Sequence, residues 1–187
     1  LELPDAINAL TLAPDGRALA IACEDSAVYL VALDAHERGE PFARHAHPVY
    51  TVAFSPDGRW LASGSWDAEI QVRQRDGALV ATLTGHQGSV LSLAFHPRGP
   101  HLASAGRDGA LRVWSTTTWR EEQTLSAHTQ KAYAVAWNDD GELLASASAD
   151  GTSRVFTGFN RRPSPLASLG RDDELAHVAR LGNRAAQ

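Results

Sequence analysis

The chain has 187 residues, 43% of them hydrophobic and 21% charged, with a formal net charge of -5. That balance supports one globular unit with a sizeable core and excludes a disordered or fibrous chain. The mild acidity also disfavours a nucleic-acid partner, since such binding draws on clustered Lys and Arg, and no apolar run approaches the roughly 18 residues that cross a bilayer.

LELPDAINAL, at the N-terminus, lacks the basic start and apolar middle of a signal peptide. The single cysteine, Cys23, excludes an intrachain disulfide, and its flanks AIACED read as a strand in which it is a small buried hydrophobe. A cytoplasmic setting is expected. The start at Leu1 and the absence of Met point to a piece of a longer polypeptide, and the Ala- and Arg-rich HVARLGNRAAQ to a GC-rich bacterial genome.

The elements recur in chain order. INALTLAPDG from Ile7, VYTVAFSPDG from Val49, VLSLAFHPRG from Val90 and AYAVAWNDDG from Ala132 align without a gap, as do the segments that follow them. Asp25 to Asp67 is 42 residues, Asp67 to Asp108 is 41 and Asp108 to Asp150 is 42. Each unit reads as an alternating strand, a Pro-Asp-Gly-type turn, a small-residue strand such as LASGS, an Asp-led tight turn and a third strand such as LRV. A more polar fourth strand follows at 79–83, 121–125 and 165–169, and is weakest near Pro41 to Arg44 in the first unit. Four antiparallel strands in about 40 residues make one propeller blade rather than a helical repeat. The expected fold is therefore all-β, a β-propeller of four blades. These are residues 1–46 (degenerate), 47–85, 86–127 and 128–169, followed by a tail or short helix over 170–187.

The third unit carries Gly85-His86, Ser104, Asp108 and Trp114 in order, with Ser115 after the Trp. In this it resembles the WD-repeat β-propeller family, whose blades begin near a Gly-His and end a third strand near a Trp-Asp. The resemblance covers about residues 5–169, and it implies a hydrogen-bonded chain within the blade from Trp to Ser to His to Asp. A catalytic Ser-His-Asp group would be needed once, whereas this set recurs, and no nucleophile elbow accompanies it. The second unit offers His47, Ser63 and Asp67 with Arg73 at the Trp position, and the fourth His128, Ser146 and Asp150 with Phe156. The first keeps only Asp25, with Leu3, Ile21 and Val31 elsewhere, so its turn is expected to be held by packing.

Four blades are few for such a ring. Further blades on a longer polypeptide, pairing with itself or another chain, or closure as a small four-bladed ring would each complete it. In the tail, Asp172 can cap a short helix that places Leu175, Val178 and Leu181 on one face.

With the network residues committed to structure, binding falls to their neighbours. The candidates are Trp66, Arg107 and Glu24 beside the Asp turns, and Lys131, Gln87 and Gln130 near the inner strands. Trp and Arg are the residue types enriched at binding hot spots. Trp60 and Trp137 replace apolar strand residues and are expected in the core. His45 and His47 are two apart with no third ligand implied, and His36, His96, His101 and His177 are expected on loops or in solvent, so neither a metal nor a cofactor is expected. The expected function is a non-enzymatic scaffold for a protein or peptide, the alternative being the sensor of a larger bacterial enzyme such as a kinase, protease or NTPase switch.

Overall fold

The computed structural model describes residues 2–34 and 40–159. Alternating apolar residues make strands here because successive side chains point to opposite faces, and each face meets a neighbouring sheet. The first sheet holds β1 (Ile7–Leu12), β2 (Ala18–Cys23), β3 (Ala27–Ala32) and β4 (Ala43–Arg44) in that order. The second holds β5 (Val49–Phe54), β6 (Trp60–Ser65), β7 (Ile70–Gln74) and β8 (Leu79–Leu83), and the third β9 (Val90–Phe95), β10 (His101–Gly106), β11 (Leu111–Ser115) and β12 (Glu121–Leu125). The fourth has β13 (Ala132–Trp137), β14 (Leu143–Ser148) and β15 (Ser153–Thr157) among the described residues. All neighbours pair antiparallel. The strand expected at 165–169 and the helix expected over 170–187 lie outside the described residues.

Asp side chains shape the first turn of the first, second and fourth units. Asp57 Oδ1 accepts the Arg59 N–H at 3.0 Å, and Gly58 at φ 69° supplies the left-handed step that a side chain would strain. Asp15 and Asp140 accept from Arg17 and Glu142 in the same way.

The core sits between sheets. Small residues of one sheet receive larger ones of the next: Ala20, Ala22 and Val28 meet Val49, Val52 and Leu61. Ala62 and Val72 meet Val90, Leu93 and Leu102, and Ala103 and Val113 meet Val135 and Leu144. The approach is close enough that a Cβ built on Gly64 would lie 2.6 Å from Val90 Cγ1. The inner strands β1, β5, β9 and β13 stand side by side in that order and form an open arc. Among the described residues, closure into a four-bladed ring, one of the three completions the repeat count allowed, does not occur.

Candidate functional site: the Asp turns and the loop rim

Each second-to-third strand turn is built around one Asp. Oδ1 accepts the backbone N–H two residues on: Ala27 for Asp25, Glu69 for Asp67, Ala110 for Asp108 and Thr152 for Asp150. The residue after each Asp is left-handed, at φ 69° for Ser26, 68° for Ala68, 78° for Gly109 and 81° for Gly151. In Asp67, Asp108 and Asp150 the other carboxylate oxygen meets the loop before the inner strand, whereas in Asp25 it meets β3.

In the third sheet the full chain forms. Trp114 Nε1–H donates to Ser104 Oγ at 2.9 Å, Ser104 stands 2.8 Å from His86 Nε2, and His86 Nδ1 is 3.0 Å from Asp108 Oδ2. An ionised Asp only accepts, so Nδ1 carries the proton, Nε2 accepts from Ser104 O–H, and every polar atom is satisfied. Burial works to raise the Asp108 pKa, but the bonds from His86 and from the Gln87 and Ala110 N–H groups outweigh it and hold the carboxyl at about 2. The order Ser–His–Asp is that of a hydrolytic triad. Ser104 is fully buried, however, and its oxygen is already occupied by the indole N–H, so a substrate carbonyl has no approach to it.

The fourth sheet repeats the arrangement without the indole. His128 joins Ser146 at 2.8 Å and Asp150 at 3.0 Å, and the Thr152 hydroxyl, with the Thr152 and Thr129 N–H groups and against the opposing effect of burial, takes the Asp150 pKa well below the usual carboxylate range.

In the second sheet the histidine is His45, not His47. His45 Nε2 is 2.8 Å from Ser63 Oγ and its Nδ1 is 3.1 Å from Asp67 Oδ2. The reason is reach: the loop places the ring 22 residues before its Asp in all three sheets, whereas His47 precedes Asp67 by only 20. His47 instead meets Trp66 edge-on, with ring centroids 5.0 Å apart. Burial lowers the His45 pKa, opposed by the Asp67 charge.

The first sheet departs from the packing expected of it. Tyr29 O–H donates to Asp25 Oδ2 at 2.7 Å, filling the oxygen that a His serves elsewhere, and Arg44 donates to the Asp25 carbonyl. Tyr29 is opposite Ile21, which replaces the Ser of the other sheets, so an apolar pair under a phenol stands in for the polar chain.

One further histidine was misplaced by sequence reasoning. His96 is buried, its Nε2 donates to the Gly141 carbonyl at 2.9 Å, and its Nδ1 accepts from the Arg98 N–H at 3.0 Å. It occupies the turn position where Ser55 accepts the Trp60 N–H in the second unit, and so it caps a turn while joining two sheets. Trp137 packs against it at 4.8 Å and Trp60 against Trp119 at 5.1 Å, each Trp half-buried. Cys23 is buried, which raises its thiol pKa, and its sulfur contacts the Asp5 carbonyl.

The candidate contact residues share a rim. The N–H groups of Glu24, Trp66, Arg107 and Ala149 each donate to the loop before the inner strand, at Ala6, Pro48, Ser89 and Lys131. The four positions are thus equivalent around the arc. Trp66 is 49% exposed, Arg107, Gln87 and Gln130 are exposed, and Lys131 and Glu24 are half-buried, the latter bonded to Asn8 at 2.7 Å. Trp66, His47, Ala46 and Asp67 line a shallow depression of about 440 Å³. Among the described residues no group of three or more His, Cys, Asp or Glu side chains is placed to hold a metal, and no helix is long and apolar enough to cross a membrane.

Antiparallel sheets of three or four strands set side by side, each with an Asp-led turn, define a β-propeller repeat protein, here as an incomplete ring. The model of the WD domain, G-beta repeat, matches residues 39–73, 77–115 and 119–157, and the chain belongs to that family. A WD repeat-containing protein of Synechocystis sp. is 36% identical over 120 residues, covering 63% of this chain and 34% of that protein. WD repeat and HMG-box DNA-binding protein 1 of Xenopus laevis is 40% identical over 80 residues, covering 41% of this chain and 7% of that protein. The solved WD40 repeats of RRP9 superpose with a TM-score of 0.77 at 26% identity, covering 83% of this chain and 49% of that one, and the U3-55K structure gives 0.76 at the same identity, covering 84% and 50%. The chain therefore spans about half the length of these structures and about a third of the Synechocystis relative. Proteins of this family generally act as protein-interaction scaffolds.

Proposed function

We propose that this chain is a non-enzymatic interaction module that holds a protein or peptide on its loop rim, with Trp66 as the anchor. The observation that carries this reading is a half-exposed indole set directly on a turn that buried groups fix. Asp67 is tied to His45 and to the Ala46 and Glu69 N–H groups, and His47 props the ring from the side. A large aromatic on a rigid support loses little conformational freedom on binding, which is how a few residues come to dominate an interface. Arg107, one position along the rim, and Lys131 add donors for a partner's carboxylates or carbonyls, while Gln87 and Gln130 add adaptable amides. The buried Ser104 supports the absence of hydrolytic chemistry, and the net charge supports a protein or peptide over nucleic acid. A single buried free thiol suits a cytoplasmic setting.

Selection of peptides from a displayed library against the parent chain, followed by titration of the winners, tests the reading. Trp66→Ala is expected to weaken binding by about 30-fold or more, the loss typical of a hot-spot aromatic, while its melting temperature stays at the parent's. Equal affinity for parent and Trp66→Ala would remove the anchor from this site.

A further inference from the structure

At the end of the sheets opposite Trp66, the turn after β5 and the turns after β7 and β11 meet their neighbours across the junctions. Where the second sheet meets the first, Arg75, just after β7, reaches back to Asp15: its Nη1 donates to Oδ2 at 2.7 Å and its Nη2 to Oδ1 at 3.4 Å. One long side chain thus closes that junction with an ion pair.

Where the third sheet meets the second, the equivalent places hold different residues. Gln74 pairs with Trp60 as Ser115 pairs with His101, so Thr116, next after Ser115, stands where Arg75 does. Asp57 stands where Asp15 does, each accepting the N–H two residues on. Thr116 is too short to cross. Asp57 takes the Ser55 hydroxyl and the Arg59 N–H on Oδ1 alone, and among the described residues Oδ2 has no donor. A groove of about 190 Å³ is left between Asp57 and Thr116, with Trp60 and Phe95, both half-buried, along it. Described sheets wall it on both sides, so it lies within the arc and at neither end. The Ser55 O–H and the Arg59 N–H, against the opposing effect of burial, hold the Asp57 pKa below the usual carboxylate value, so the free oxygen carries charge. Arg59 forms no ion pair with it, its guanidinium lying 5.0 Å over the Trp60 ring. On the opposite wall Arg98 is exposed and has no acidic partner among the described residues. One groove therefore holds a carboxylate without its cation and a cation without its carboxylate, with aromatic rings between them.

We propose that this groove takes an arginine side chain of a partner peptide, its guanidinium on Asp57 Oδ2 as Arg75 sits on Asp15, and that an acidic residue beside that arginine meets Arg98. The chain's own first junction shows the occupant that the second one lacks. Arginine fits better than lysine, because its planar fork matches a carboxylate and stacks on aromatic rings, whereas an ammonium is a compact, strongly hydrated point charge. The site is preorganised: the Asp57 carboxylate is fixed by its turn before any partner arrives, which lowers the cost of binding. This is a second surface, independent of the Trp66 anchor, which lies at the other end of β6.

Selection from a displayed library of random peptides tests it, with the Trp66→Ala chain as bait so that the rim does not choose the winners. The enriched peptides are then synthesised and titrated. They are expected to share one arginine with an acidic residue close by. Replacing that arginine by citrulline, which keeps the shape and drops the charge, should weaken binding about tenfold or more, the loss expected for a hydrogen bond between charged groups. Asp57→Asn should do the same, since its amide oxygen still accepts the Arg59 N–H. Thr116→Arg should abolish binding by filling the groove from within, with a melting temperature at or above the parent's because it remakes the Arg75–Asp15 pair. Arg98→Ala should weaken only those peptides that keep the acidic residue. Winners that share no arginine overturn the proposal, as does a selection without winners, or an affinity unchanged in Asp57→Asn. If Thr116→Arg fails to fold, the citrulline peptide and Asp57→Asn still decide.

Discussion

The third and first sheets solve one problem with opposite materials. Both must hold an Asp whose second oxygen needs a donor. The third uses a buried polar relay, from Trp114 through Ser104 and His86 to Asp108, and every member depends on its neighbours. The first uses one phenol, Tyr29, over an apolar bed of Ile21 and Val31, so that Asp25 gains its bond while little else polar is buried. Burial works to raise the Asp25 pKa and the bonds from Tyr29 and Ala27 lower it, with a net shift downward, so the carboxylate is stabilised without any histidine. A blade therefore needs its Asp turn filled, and the relay is one of two ways of filling it. The difference is in fragility: removing one member of a buried relay leaves the others unsatisfied, whereas removing one hydroxyl from an apolar bed costs a single bond.

The sharpest way to break the comparison is at Trp114, which is buried against Leu93 and Leu102 and also donates to Ser104. Trp114→Ala is expected to destabilise by about 3–5 kcal/mol, since it opens a cavity between two sheets. The fall in urea midpoint at unchanged slope reads it. A loss under 1 kcal/mol would mean that the sheets repack and the relay is dispensable.

Next come the two Asp partners. His86→Ala should cost about 1–3 kcal/mol, because Ser104 and Asp108 are both left short of a bond. Tyr29→Phe should cost about 1 kcal/mol, one hydrogen bond with packing retained. The ranking is the test: a larger loss for Tyr29→Phe than for His86→Ala, by the same urea midpoints, would reverse the account of which sheet is fragile.

Much of this was legible because a 41–42-residue period repeats both pattern and turn chemistry. Strand order followed from residues that recur at fixed offsets, and the third sheet's relay from the family resemblance that Gly85-His86, Ser104, Asp108 and Trp114 carry. The second histidine was misread because RHAHP offers two, and only the 22-residue interval shared with His86–Asp108 and His128–Asp150 separates them. That interval was available in the sequence. The role of Tyr29 was not, since nothing in AVYLVA says that a phenol will reach back four residues to Asp25. His96 was hidden for the same reason: its partner Gly141 is 45 residues away, on another sheet, and only the packing of sheets brings them together. Local pattern reports contacts within a blade, and contacts between blades depend on how the arc turns.

The smallest expected effect separates the second sheet from the third by acid. Burial lowers the His45 pKa in the fold, so the native state binds fewer protons than the unfolded chain once pH drops below the ordinary histidine value of about 6.5. The contribution is fully present above that value and is lost as pH falls toward the depressed one. Asp108 titrates at about 2 in the fold against 3.8 ordinarily, so its contribution is present above 3.8 and drains away only between there and about 2. The charged groups that bear on His45 are Asp67, Glu69 and Arg73, and the carboxylates among them work against the shift without reversing it. Melting temperature followed from pH 7 downward should therefore fall in two stages. The mild first stage, which sets in below about pH 6.5, belongs to His45 and should flatten in His45→Gln while the later, carboxylate stage remains. A first stage unchanged in His45→Gln would assign it to another group and leave His45 uncoupled from stability in this range.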